Sequence, residues 1–147
     1  MGPLGWVAED RARFLLAPEA RLPHLIWGGR ESVVPILEVG PGFEPELIRQ
    51  LPKCDALVLA LPGAGHITDT APTLLASLPM PIVFASRTGA GETLSKSYGY
   101  AGGEMDLIKR GLIPAKYLDA RRARIALAIL LSGGASKEKI ASFFASI

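Results

Sequence analysis

The sequence holds one cysteine, Cys54, in 147 residues. A single thiol closes no internal disulfide and offers no spacing for a structural zinc site, so neither device is available to hold a fold together. Aromatic residues reach only 7%, and sixteen Lys and Arg against fourteen Asp and Glu leave a net charge of +2. That balance lays down no basic footprint for nucleic acid, and there are few rings to stack on bases. No apolar run approaches the roughly 20 residues of a membrane span, and the longest near the C-terminus covers only residues 125–131. The N-terminus has Pro3, Glu9 and Asp10 where a secretory leader needs an apolar core. Neither nucleic acid nor membrane is therefore an expected partner, and the expected compartment is cytoplasmic.

What is present is an ordinary globular composition, 49% apolar and 20% charged. A disordered chain would be poorer in Leu, Ile and Val and richer in charge. The length suits one domain. Residues 4–8 and 11–16 flank Glu9-Asp10 and read as a small β-hairpin. Residues 17–29 contain Pro18, Pro23 and Gly28-Gly29 and read as a connecting loop. The expected organisation is a hairpin and linker over residues 1–29 and an α/β domain over residues 30–147.

From residue 32 the pattern alternates between strand and helix. Residues 32–39 are rich in β-branched side chains, with Pro35 marking an edge or bulge. Leu47, Ile48 and Leu51 predict a short helix over residues 44–51. Residues 54–61 and 81–86 are continuous apolar runs, as expected of parallel strands covered on both faces. Thr68 or Asp69 is a natural N-cap for a helix reaching Leu78. Residues 87–103 form a long polar, glycine-rich loop. A short helix follows over residues 103–111, with Gly111 at its end, and then a small strand at Leu112-Ile113. Asp119 caps a helix over residues 120–131, and Ser136 begins the last one. The fold class is therefore α/β, a three-layer sandwich on a mostly parallel sheet of about four strands, preceded by the hairpin.

Ligands of open parallel sheets sit beyond the carboxyl ends of the strands. Three loops qualify: residues 40–42, 62–66 and 86–91. In the second, Gly65 allows close backbone approach, and His66 is either a hydrogen-bonding or acid–base group or the polar rim of a glycine turn. In the third, Ser86 offers a hydroxyl, and Arg87 either binds a carboxylate or pairs with Glu92, Glu104 or Asp106 to shape the loop. Cys54 at the start of a buried strand reads as packing, Thr68-Asp69-Thr70 as a cap, and His24 as a loop residue without companions. Arg121, Arg122 and Arg124 read as a solvated helix face. No Ser–His–Asp, metal-ligand or dinucleotide pattern is legible, so no cofactor or metal is expected.

Taken in order, these loops carry a family resemblance. Gly2-Pro3-Leu4-Gly5, Gly63-Ala64-Gly65-His66, Ser86-Arg87-Thr88-Gly89-Ala90-Gly91, Tyr98-Gly99-Tyr100, Asp106-Leu107, Gly111-Leu112-Ile113-Pro114 and Ala123-Arg124-Ile125-Ala126-Leu127 make the match. The sequence resembles the C-terminal domain of the bacterial-type asparaginase/glutaminase family over nearly its whole length. The resemblance implies an amidohydrolase that releases ammonia from asparagine, with the Thr nucleophile, Thr-Asp pair and Lys in a larger N-terminal domain. The fingerprints of that domain are absent here, so no catalytic residue is assigned and the chain alone is expected to be inactive. Its loops would reach the active site of a neighbouring subunit in an oligomer, where the family carries Asn at the position of His66. The implied substrate contacts are Gly65, His66, Ser86 and Arg87, with Glu104 or Tyr98 as the group sent across to the neighbour. The implied partners are asparagine or aspartate, and an N-terminal asparaginase domain or further copies of the chain. A stand-alone, non-catalytic module that binds Asp or Asn, or that serves assembly, is the alternative.

Overall fold

In the computed structural model, which describes residues 5–14 and 23–147, the chain opens on an antiparallel pair. Strands β1 (Gly5–Ala8) and β2 (Arg11–Phe14) pair with Gly5 opposite Phe14 and Ala8 opposite Arg11. The two-residue turn puts Glu9 at φ 58, the left-handed region that a two-residue hairpin demands. Leu4, Leu15 and Leu16, expected in these strands, lie outside the described residues.

Four parallel strands form the main sheet in the order β3 (Ile36–Glu38), β4 (Leu57–Leu61), β5 (Ile82–Ser86) and β6 (Ile113–Pro114). A helical segment joins each strand to the next: a 3-10 turn at Pro45–Gln50, α1 (Ala71–Ala76) and α2 (Glu104–Lys109). Helices α3 (Ala120–Ser132) and α4 (Lys137–Ala145) come last. The period-2 alternation of strand side chains builds a core on each face. Leu57, Leu59, Leu61, Ile82 and Phe84 pack with Ile48, Leu75 and Leu107 of the connecting segments. Val58, Ala60, Val83 and Ala85 pack on the other face with Ala123, Leu127, Ile140 and Phe144 of α3 and α4. The result is the three-layer α/β sandwich, with every residue of β4 buried as the apolar run predicts.

The helix ends follow local chemistry where the caps are strong. Asp119 accepts from the Arg122 N–H at 2.9 Å and Ser136 from the Lys139 N–H at 3.3 Å, both where the sequence places them. Three local expectations need correction. The segment near Leu47 is a 3-10 turn rather than an α-helix, and it buries Ile48 while leaving Leu47 exposed. Leu47 and Leu51 donate their N–H groups to the carbonyls three residues back, Glu44 and Ile48, the bonding of the tighter turn. Helix α1 is capped at Thr70 rather than Thr68 or Asp69, and Thr70 is itself αR, which keeps its side chain from any capping bond. Arg124 is not merely solvated, because its Nε donates to the Val34 carbonyl at 2.8 Å and ties α3 to the chain entering β3.

The linker is stapled to the sandwich. The Gly28 N–H donates to Ser132 Oγ at 2.8 Å, and a Cβ on Gly28 would collide with the Ser132 carbonyl. Asp55 holds Arg30 at 2.6 Å and accepts from the Val33 N–H at 2.8 Å.

Candidate functional site

The turn after β4 closes through N–H donations from Gly65 and His66 to the Pro62 carbonyl, at 3.2 and 3.1 Å. Gly63 at φ 56 and Gly65 at φ 113 are conformations that side chains resist, and Gly65 also lies directly over the Phe84 ring. The turn is thereby pressed onto β5, and His66 projects from its end, three-quarters covered.

Around His66 the long loop supplies two tyrosines. Ring centroids lie 4.7 Å away for Tyr98 and 5.5 Å for Tyr100, both edge-on. His66 Nδ1 is 2.9 Å from Tyr100 Oη. Beneath them Glu104, the first residue of α2, has no exposed surface. Its Oε1 accepts from the Ser97 and Tyr98 N–H groups, each at 2.8 Å, and its Oε2 lies 3.8 Å from His66 Nε2. Burial pushes the Glu104 carboxyl up. The Tyr98, Ser97 and Glu104 amides, with the nearby His66, outweigh it and hold the group below the ordinary glutamate value. Glu104 is thus an internal anchor of the 97–98 loop rather than an extended arm, and Tyr98 is the exposed side chain of the pair.

The remaining expected residues stand apart. Ser86 Oγ donates to the Gly63 carbonyl at 2.7 Å and lies 2.8 Å from Thr88 Oγ1, so it links the two loops. Arg87 pairs with none of the acids expected of it. Its Nη1 sits 3.8 Å from Glu38 Oε1, and its guanidinium lies over Gly40, joining the ends of β3 and β5. Glu38 is far away in sequence but only two strands over in the sheet. Ser86 borders hollows of about 170 and 350 Å3 beside the start of α3, Arg87 only the larger of them, and neither hollow is lined by His66. A further hollow, about 460 Å3, lies between α2, β6 and α4 and touches none of these groups. The structure therefore brings Gly65, His66, Tyr98 and Glu104 together and sets Ser86 and Arg87 to one side.

Three participants were not foreseen. Tyr100 belongs to a recognisable Tyr-Gly-Tyr but shows its role only by reaching Nδ1. Gly102, at φ 86, presses against Ile67 and accepts its N–H at 2.9 Å. Asp106 accepts from the Gly102 N–H at 3.1 Å and from Arg110 Nε at 2.9 Å. Burial raises the Asp106 carboxyl, but the Gly102 amide and the Arg110 guanidinium prevail and lower it; Asp55 is lowered by the Val33 amide and Arg30.

These depressed carboxylates set an acid limit. A folded-state pKa below the unfolded one gives stability that is complete above the unfolded value, about 3.9 for Asp and 4.3 for Glu. That stability is lost as the pH falls through the folded values. The urea midpoint should stay level from neutrality to about pH 5 and fall steeply below about pH 4. Asp106→Asn should flatten part of that fall, and an unchanged acid limb would rule Asp106 out as a contributor.

The fold and site together define a parallel-sheet α/β domain whose polar side chains gather at the carboxyl edge. Among the described residues no Ser, Thr or Cys side chain is hydrogen-bonded to a histidine, and no group of three metal-ligating side chains occurs. Among the described residues no helix is long and apolar enough to cross a membrane. The chain belongs to the glutaminase/asparaginase C-terminal domain family, whose model matches residues 33–144. It is 37% identical, over 97% of its length, to a protein of Deinococcus radiodurans named "Probable L-asparaginase". Its backbone is similar to the thermostable L-asparaginase from Thermococcus kodakarensis, with a TM-score of 0.78 at 20% identity over 96% of the chain. It spans 45% of the first of these proteins and 44% of the second.

Proposed function

We propose that this chain acts as the smaller domain of an asparaginase-like amidohydrolase. In this reading it completes an active site whose nucleophile lies in another domain or subunit, and it supports assembly of the oligomer. The observation that carries the reading is the gathering of Gly65, His66, Tyr98 and Tyr100 over buried Glu104 at the carboxyl edge of the sheet, in a chain that spans less than half of its asparaginase relatives. This edge offers hydrogen-bonding groups and aromatic walls to a small polar ligand such as asparagine or aspartate. Among the described residues no Ser or Thr hydroxyl is hydrogen-bonded to a histidine, the pairing that would prepare it for attack. A chain that positions without attacking fits the role of a contributing domain.

Ammonia release from asparagine tests the reading. The purified chain alone should give no turnover above the buffer blank. Mixed with the remaining part of the Deinococcus relative, it should restore turnover, and His66→Ala should weaken that restoration about tenfold or more, the loss of one or two hydrogen bonds at a site. Turnover by the chain alone that persists through repurification would overturn the proposal. So would failure of a stably associated mixture to turn over.

A further inference from the structure

Among the described residues, two of the three buried side-chain polar atoms that lack a hydrogen-bond partner face each other: His66 Nε2 and Glu104 Oε2, 3.8 Å apart. Neither atom has surface open to water, so leaving both unmet is costly and the nearest remedy for each is the other. Glu104 cannot turn away, because its other oxygen is fixed by the Ser97 and Tyr98 N–H groups. Those two donors and the neighbouring imidazole favour the ionised carboxylate, and an ionised carboxylate only accepts. The atom opposite must then donate. A neutral imidazole has one donor and one acceptor nitrogen, so a proton on Nε2 leaves Nδ1 bare. Tyr100 Oη, 2.9 Å from Nδ1, is then the donor in that bond.

We infer that Glu104 is a positioning residue that sets the tautomer of His66, holding Nε2–H toward its carboxylate so that Nδ1 accepts from the Tyr100 hydroxyl. Both ring nitrogens then face the chain's own groups, and neither offers an N–H outward. The Tyr100 oxygen, with its lone pairs free, then lies at the rim near the half-exposed Tyr98. An incoming ligand would meet an acceptor there, which suits an N–H donor such as an ammonium or amide nitrogen. This last consequence rests on the proposed function, whereas the tautomer does not.

Long-range proton–nitrogen correlation on the full chain, with 15N-labelled histidine, reads the tautomer at about pH 8, above the ordinary imidazole range. The only other histidine, His24, is removed from the spectrum by His24→Gln. The expected wild-type pattern is a protonated, pyrrole-type Nε2 and a bare, pyridine-type Nδ1. In Glu104→Gln the amide oxygen can keep the Ser97 and Tyr98 N–H groups while its NH2 turns to Nε2. The two nitrogens should then exchange their shift types, a change that a purely packing role would not cause. Tyr100→Phe should keep the wild-type pattern. A protonated Nδ1 in the wild type, or an unaltered tautomer in folded Glu104→Gln, would overturn the inference. If Glu104→Gln does not fold, loss of the Nε2–H form in Tyr100→Phe would assign the control to Tyr100 and overturn it equally. None of these spectra depends on turnover, so failure of the ammonia assay and failure of this inference are separately visible.

Discussion

Gly102→Ala should destabilise the chain by about 3 kcal/mol or more and lower its melting temperature by roughly 10 °C. Two effects add at this position. At φ 86 the backbone adopts a conformation that an L side chain resists, which by itself costs on the order of 1–3 kcal/mol. The new Cβ would also run into the Ile67 carbonyl oxygen, with the Ile67 carbonyl carbon and the Thr68 oxygen each 3.1 Å away. All three atoms are backbone, so no rotamer can clear the space. Relief requires the 67–68 segment and the entry to α2 to part, which breaks the Ile67-to-Gly102 hydrogen bond and loosens the Gly102 donation to Asp106. Gly89 is the internal control. It has a similar φ of 78, and nothing lies within 4 Å of where its Cβ would stand, so Gly89→Ala should cost only about 1 kcal/mol. Urea unfolding of the two variants measures the difference. Equal losses would mean that the close approach of Gly102 to Ile67 contributes nothing.

The contrast between these glycines also shows what the sequence could reveal. Strands β4 and β5 were legible because burial on both faces leaves an unbroken apolar run, and α3 and α4 because Asp119 and Ser136 are strong caps in front of periodic helices. Weak local signals misled in proportion. The short turn before β4 and the start of α1 are shaped by Pro45 and Pro72 and by packing, and their residue pattern alone does not distinguish a 3-10 turn from an α-helix. At the site, the glycine turn and the Ser86-Arg87 strand end were visible as motifs. Partnerships between distant residues were not. Arg87 meets Glu38 only because β3 and β5 flank the same strand. Glu104 opens a helix, where an acidic residue normally faces water and favours the helix dipole, yet here it is sealed beneath two tyrosines. Its burial is tolerable because the 97–98 amides converge on it, an arrangement made by a loop without periodicity. The same loop decides which nitrogen of His66 is engaged, so the chemistry of the site was the least legible part of the chain.

Gly65→Ala should be about as damaging as Gly102→Ala, and its damage should be partly reversible by a change in the core. A Cβ on Gly65 would stand 2.6 Å from Phe84 Cε2 and 2.8 Å from Cδ2, on a backbone at φ 113. Phe84 is fully buried in the middle of β5 and cannot swing out. Either the ring or the turn must yield, and when the turn yields His66 leaves Tyr100 and Glu104. Phe84→Ala alone should cost about 3–5 kcal/mol through the cavity it opens. In the double variant the new methyl enters that cavity, so the combined loss should fall short of the sum by about 1–2 kcal/mol. Full recovery of the Gly65→Ala loss is not expected, because removing the ring relieves the collision and leaves the strained backbone angle as it was. The double-mutant cycle therefore separates the two reasons for glycine at this turn. A coupling near zero would show that backbone conformation alone requires it. A coupling of the expected size would make the Phe84 ring the physical link by which the core holds His66 in place.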